Sequence, residues 1–268
     1  MHLDDLELLA QGREAEVYLR PDGTVVKLMR SAEWGDRVAL EESALAALAA
    51  HGFAAPKVVE VVSIDGRPGL AMERVPGTDL LSLLASRPWS LWRAGRSMGS
   101  CHAAMHDVVA PPQFPDLHDY NRERVLAAPG LSEAARGDVL ELLGGLPRGD
   151  RLCHGDLHLG NVLGTFAAPV VIDWGNATRG DPVADVARSW VLMRFGEEPP
   201  GTPFVIRAFA PMLRGRVLAS YFAEYRRCRP FAIADLRRWQ IVQVAARLAE
   251  GIGSEAPALL EYLTKNGY

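Results

Sequence analysis

The chain changes character once. Its first 75 residues read as strands around a single helix, and most of the chain beyond residue 80 reads as helix. "EAEVYLR" (14–20) alternates, closes on the turn signal "PDG" and is followed by "TVVKLM" (24–29), which predicts a hairpin. Residues 33–50, "EWGDRVALEESALAALAA", have helical spacing, and the Gly of "HGF" ends the helix. "PKVVEVVSID" (56–65) and "PGLAMERV" (68–75) flank the turn "GR" and predict a second hairpin. Two or three strands, one helix and two strands make a small sheet with a helix packed on it. After "PGTDL" (76–80), Thr78 or Asp79 caps the first of a series of helices, predicted over 91–108, 216–228, 235–252 and 256–266. "APPQFPDL" (110–117) reads as a loop, and only 151–175 breaks the helical region, with the short apolar pieces "RLC", "NVLG" and "PVVID". The expected architecture is α+β and bilobal. A β-rich lobe over residues 1–75 precedes a mainly helical lobe over 76–268, joined near 73–77 beside a cleft.

Composition removes several alternatives. A chain of 268 residues, 49% hydrophobic, has enough apolar material for a core without staples. Cys101, Cys153 and Cys228 are odd in number and form no C-x-x-C pair, which argues against a disulfide framework and structural zinc and favours a reducing cytoplasm. The start, "MHLDDLELLAQG", is acidic and lacks the apolar segment of a signal peptide. No run reaches the roughly 18 apolar residues of a membrane span. The net charge of −4 is uneven: Val205–Tyr268 holds ten Lys/Arg against five Asp/Glu, a local balance of +5. Those basic residues are not interleaved with aromatics, and the pI near 6.0 points away from nucleic acid.

Two segments carry chemistry. "CHGDLHLGN" (153–161) sets Asp156 and Asn161 with four residues between them, and "IDWGN" (172–176) brings Asp173 twelve residues after Asn161. A metal site on the histidines, a catalytic loop on the Asp and Asn, and a polar turn are three competing readings. His154 and His158 are four apart, yet Gly155, Asp156 and Gly160 disfavour the helix that a zinc site of that spacing requires. An Asx-rich turn accounts for the first segment alone but not for both together. Phosphoryl transfer needs a carboxylate to accept the proton of the attacking hydroxyl and hard oxygens to hold Mg²⁺ against the phosphates. Asp156, Asn161 and Asp173 supply that set at the spacing of a kinase catalytic loop. His154 then reads as an anchor for the loop backbone, and His158 as a solvent-facing residue. No G-x-x-x-x-G-K-[ST] occurs, so the chain is not a P-loop protein.

"CHGDLHLGNVL" followed by "VVIDWGNATRGDPVADVA" resembles the signature of the aminoglycoside phosphotransferase and choline kinase superfamily, which has a protein-kinase-like fold. The resemblance implies Asp156 as catalytic base, Asn161 and Asp173 as Mg²⁺ ligands, and Asp185 as the acid that steadies the catalytic loop; Asp185 reads equally as an ordinary acidic residue at a helix N-terminus. "QGREAEVYL" (11–19) resembles the family's phosphate-covering loop, with Gly12 admitting the phosphates. Lys27, in "VVKLM", matches the lysine that contacts the α- and β-phosphates, and a lysine among apolar neighbours needs an anion. Glu41 or Glu42 pairs with it, and counting back from "PKV" favours Glu42. "LAMERVPGTDL" (70–80) resembles the family's hinge, which puts adenine against Glu73 and Val75 with Met72 behind it; taken alone, Met72 is core packing. His106 reads as structural. The motifs span about residues 10–190.

The expected activity is ATP- and Mg²⁺-dependent transfer of the γ-phosphate to a hydroxyl of a small molecule: an aminoglycoside-like compound, a sugar or an amino alcohol. The acceptor would lie against the C-terminal helices. Their few, dispersed carboxylates (Glu224, Asp235, Glu250, Glu255 and Glu261) favour a neutral or anionic acceptor at least as much as a polycation. Trp174, Trp190, Tyr221, Tyr225 and Trp239 offer stacking surfaces or, more simply, core packing. Two rivals stand beside this reading. An atypical protein kinase would lack the HRD and DFG–APE segments, and a non-catalytic nucleotide-binding regulator would leave the complete Asp156, Asn161 and Asp173 set without a purpose.

Overall fold

The computed structural model describes Leu3, residues 6–197 and residues 204–268, the side chains of 204–211 excepted. Five antiparallel strands form the first sheet: β1 (Glu7–Gln11), β2 (Ala15–Leu19), β3 (Val25–Met29), β4 (Val58–Ile64) and β5 (Arg67–Met72), in the order β1-β2-β3-β5-β4. Both expected hairpins form. The second turns at Asp65–Gly66 (φ 51° and 76°), one position before the predicted "GR", because paired left-handed residues match the twist of the flanking strands. β1 is exposed at every position and so shows no alternation; backbone pairing to β2 holds it at the sheet edge. β3 is buried on both faces apart from the half-buried Lys27. A 3₁₀ turn (Ala32–Trp34) leads into α1 (Gly35–Ala50), which buries Val38, Glu41, Ala44, Leu45 and Leu48 along one stripe.

β6 (Thr78–Asp79) starts the second half, and the Asp79 side chain caps α2 (Leu80–Ser86) by accepting from the Ser82 N–H at 2.8 Å. α3 (Leu91–Met105) follows, then α4 (Leu117–Ala127) and α5 (Glu133–Gly144). α4 begins at the last residue of the segment read as a loop, capped by Asp116; with only Leu117, His118, Asn121 and Val125 buried it carries little apolar periodicity. Next come β7 (Arg151–Cys153), β8 (Val162–Gly164), β9 (Pro169–Val171) and β10 (Thr178–Gly180). The first three are the short apolar pieces of the sequence. β7 pairs with β10, and β8 lies between β6 and β9. α6 (Pro182–Phe195), α7 (Phe204–Cys228), α8 (Ile233–Leu248) and α9 (Ala256–Lys265) complete the fold.

One hydrophobic core runs from Val25, Leu45 and Leu70 through Leu80, Met98 and Trp174 to Val186, Trp239 and Leu259, so the sheet and the helical half share it. A smaller cluster of Tyr18, Val26, Leu28, Ile64 and Ala71 fills the other face of the sheet. α3 and α7 touch backbone to backbone: a Cβ on Gly95 would lie 2.4 Å from the Val217 carbonyl, and one on Gly99 would lie 2.6 Å from that of Tyr221. Among the described residues, no helix is long and apolar enough to cross a membrane.

Candidate active site

The segment after β7 is fastened before it reaches its first reactive group. Gly155 takes φ 77°, and a Cβ there would stand 2.4 Å from the Asn176 carbonyl, so only glycine fits the turn. The buried His154 ring accepts the Asp156 N–H at Nδ1 (3.2 Å), which leaves its Nε2–H to donate to the Ile172 carbonyl at 2.9 Å. Burial lowers its pKa despite the pull of Asp185, so the ring stays neutral. Asn161 donates its amide to the Asp156 carbonyl at 2.9 Å, and its own N–H bonds the His158 carbonyl. His154 is the loop anchor the sequence suggested. His158 is 38% exposed, with Nδ1 taking the Gly160 N–H.

Asp185, at the start of α6, collects four donors. Its Oδ1 accepts the Gly155 N–H (2.9 Å); its Oδ2 accepts the His154 N–H (2.7 Å) and the Nε2–H groups of His102 (3.1 Å) and His106 (3.3 Å). The far nitrogens of those rings meet Tyr221 Oη at 2.6 Å and Tyr225 Oη at 2.7 Å. Burial would raise the Asp185 pKa, but the histidine hydrogen bonds outweigh it and hold the carboxyl well below its usual range. Burial, aided by His102, pushes His106 down to about 3. This trio is the one cluster of metal-capable side chains among the described residues, yet each ligand atom already has a hydrogen-bond partner. His106 and Asp185 are therefore structural, as the motif implied.

Across the cleft, Lys27 Nζ lies 2.6 Å from Glu41 Oε2 and 2.7 Å from Asp173 Oδ1. The partner is Glu41, not Glu42. Glu41 occupies the buried stripe of α1 with Val38, Ala44 and Leu45, whereas Glu42 is turned about 100° off that stripe and is only half-buried. Burial pulls the Lys27 pKa down, but the two carboxylates more than reverse this and keep it charged. Burial in turn raises Glu41, while Lys27 holds Asp173 below its ordinary value against its own burial. Glu41 Oε1 also accepts the Trp174 N–H at 3.2 Å, tying α1 to the segment after β9. Asp173 itself has φ 67°, an unusual conformation for a non-glycine residue and one that aims its carboxylate at Lys27.

Asp156, Asp173, Lys27 and Gly12 line one cavity of about 1130 Å³ between the sheet and the helices. Asn161 is 9% exposed beneath it, tied to Asp156. Its amide nitrogen is spent on the Asp156 carbonyl and Asp173 Oδ1 on Lys27, which leaves Asn161 Oδ1 and Asp173 Oδ2 as hard oxygen donors, a set that fits Mg²⁺. Gly12 bonds Ala15 through its N–H (2.8 Å), and an added Cβ would meet only that same carbonyl at 3.5 Å. The fold itself does not demand glycine there; the open cleft side is what it keeps clear. Met72, Glu73 and Val75 stand at the end of β5 and do not line the cavity: Met72 is 8% exposed in the core, and Glu73 gives its N–H to the Lys57 carbonyl. Trp174, Tyr221, Tyr225 and Trp239 are core residues, and Trp190 packs on Phe195 and Tyr262.

Among the cavity residues that the motifs do not mark are Arg124, Arg188 and Arg247. They surround Glu250, and their only sequence trace is the i,i+3 spacing of Arg247 and Glu250 in "RLAEG".

Residues 5–231 match the phosphotransferase enzyme family. No curated protein sequence matches the chain. Among solved structures, the fold is similar to an amicoumacin kinase in complex with AMP-PNP, Ca²⁺ and Ami (TM-score 0.67, 17% identity, 99% of this chain and 88% of that one). It is also similar to an aminoglycoside-3'-phosphotransferase of type VIII (0.63, 20%, 90% and 94%). A third likeness is to the GDP and kanamycin complex of APH(2")-IIia (0.62, 20%, 100% and 95%).

Proposed function

From the premise that the chain belongs to the phosphotransferase enzyme family, whose members move phosphate to hydroxyls of small molecules, we propose that it transfers the γ-phosphate of ATP with Asp156 as base. The observation that carries the reading is the convergence of Asp156, Lys27 and Asp173 on one cavity, with Asn161 bonded to Asp156. Asp156 accepts the proton of the acceptor hydroxyl as its oxygen attacks the phosphorus in line. Lys27 draws the nucleotide phosphates into place, and Glu41 fixes the ammonium that does so. Asn161 and Asp173 would hold Mg²⁺, which neutralises charge on the phosphates when bound. Gly12 leaves room for the phosphates, and the proposed adenine contact is the backbone just past β5, the Glu73 carbonyl and Val75, outside the lining of that cavity and with Met72 behind in the core. The lobes meet at residues 75–76, and the enzyme works in the cytoplasm.

Asp156→Asn keeps the size and the Asn161 contact but cannot take a proton. Turnover should fall by about 10²–10⁴-fold, with the dissociation constant of Mg-ATP changed less than about twofold. Wild-type turnover in the variant, in an assay that follows phosphate mass on the acceptor, would remove Asp156 as base.

A further inference from the structure

The charge on the cavity wall is almost wholly spoken for. Seven cationic side chains (Arg13, Lys27, Arg37, Arg124, Arg188, Arg214 and Arg247) face six carboxylates (Glu14, Asp156, Asp173, Glu197, Glu250 and Glu255). Glu14 pairs with Arg37, and Asp173 with Lys27. Elsewhere on the wall, Glu250 Oε1 takes Arg124 (2.8 Å) and Arg188 (2.6 Å) while its Oε2 takes Arg247. Glu255 receives the Nε and Nη2 of Arg247 in a two-pronged pair at 2.7 and 2.8 Å. Glu197 accepts the Ser254 hydroxyl. Among the described residues, Asp156 alone of the six has no cation or hydroxyl within hydrogen-bond reach; the His158 imidazole stands 4.0 Å away. The wall between these pairs is apolar, with Leu84, Leu91, Leu192, Met193, Val217 and Ile252 all facing the cavity.

We infer that the acceptor is a hydroxyl compound of low net charge with an extended apolar face, and that polycationic acceptors are rejected. The inference rests on the phosphotransferase reading only for the word acceptor; the preference belongs to the cavity itself. An ammonium group seeking Glu250 or Glu255 must displace a guanidinium and then share the space with it, which is repulsive and leaves a half-buried charge unpaired. Burial raises the Glu250 carboxyl, but the three arginines overrule it and hold it below its ordinary value, so the pairs remain ionised at neutral pH. A compound with an apolar face meets no such conflict and covers the leucine and methionine wall while its hydroxyl reaches Asp156.

Equilibrium binding to the full chain, with and without a non-hydrolysable ATP analogue, tests this with four probes. Kanamycin is the polycation, erythromycin and chloramphenicol carry apolar faces with at most one charge, and glucose is small, neutral and polar. At least one apolar probe should bind about tenfold or more tightly than kanamycin and glucose. Kanamycin binding as well as both apolar probes, or neither of them binding, overturns the inference. Arg247→Gln uncovers Glu255 and part of Glu250, and should tighten kanamycin by about tenfold. Arg124→Gln, at a more exposed arginine, repeats the test if the first variant unfolds; a folded variant without gain also overturns it. These arms need no catalysis. Absence of ATP-dependent phosphate on any compound would sink the phosphotransferase reading while leaving the binding result to stand or fall alone.

Discussion

Asp185 and its two imidazoles are the most sensitive point at the scale of single residues. His106 is fully buried with its folded pKa pushed down from 6.5 to about 3, and His154 is shifted the same way. A base whose folded pKa is depressed takes its proton first in the unfolded chain. Its stability is whole above about pH 6.5 and drains as the pH falls toward about 3. From pH 7 to pH 5, His106 alone should remove about 2 kcal/mol of unfolding free energy, measured by urea denaturation at the two pH values. An unchanged midpoint and slope would mean that the ring is not held neutral. The sequence made Asp185 and His106 legible as structural residues through the motif, but not the partners that fix them. Tyr221 and Tyr225 lie 119 residues beyond the histidines, and no local spacing connects them.

Among the elements, α1, α3, α8 and α9 could be read from their spacing, whereas α4, α5 and α6 escaped although Asp116, Ser132 and Asp181 cap them. α1 and α9 keep their apolar residues on one face, whereas α4 is polar almost all round and β1 is exposed throughout; both depend on what they pack or pair with. The near-contact of α3 and α7 was likewise invisible, since "GRSMGS" looks like poor helix former rather than an interface. Two glycine substitutions separate those meanings. Gly99→Val drives a side chain into the backbone of Tyr221 and Tyr225 and should cost about 2 kcal/mol or more, while also pulling the tyrosines off their histidines. Gly137→Ala, in α5 with nothing within 4 Å of the new methyl, should instead stabilise by about 0.5–1 kcal/mol. Thermal unfolding of both, against the parent chain, reads opposite signs if the packing is right.

Over the whole molecule, the polar contacts that tie the sheet and α1 to the helical half at the cleft include Lys27 to Asp173, Glu41 to the Trp174 N–H, and Val171 N–H to the Ala54 carbonyl at 3.3 Å. Two of them pass through α1 and β3, so the choice between adjacent glutamates has a global readout. Glu41→Gln should lower turnover by about 10-fold or more as the lysine loses the charged partner on α1 and keeps only Asp173, and Glu42→Gln should leave it within about twofold. Steady-state rates at saturating ATP decide between them. The bilobal plan and the meeting of Lys27, Asp156 and Asp173 at one cavity were legible because short, ordered motifs carry them. The glutamate was not, because the helix phase relative to the sheet is set by packing. The carboxylate of Asp185 has one more consequence, in the time domain. The His154 and Gly155 amides it accepts sit inside a network that joins α3, α6 and α7, with no exposed member at its centre. In deuterated water those two amides should exchange only when the entire chain opens, at the rate of global unfolding. The segment that carries Asp156, the proposed base, is then as slow to open as the core itself, and any opening that admits a ligand has to come from the rim of the cleft.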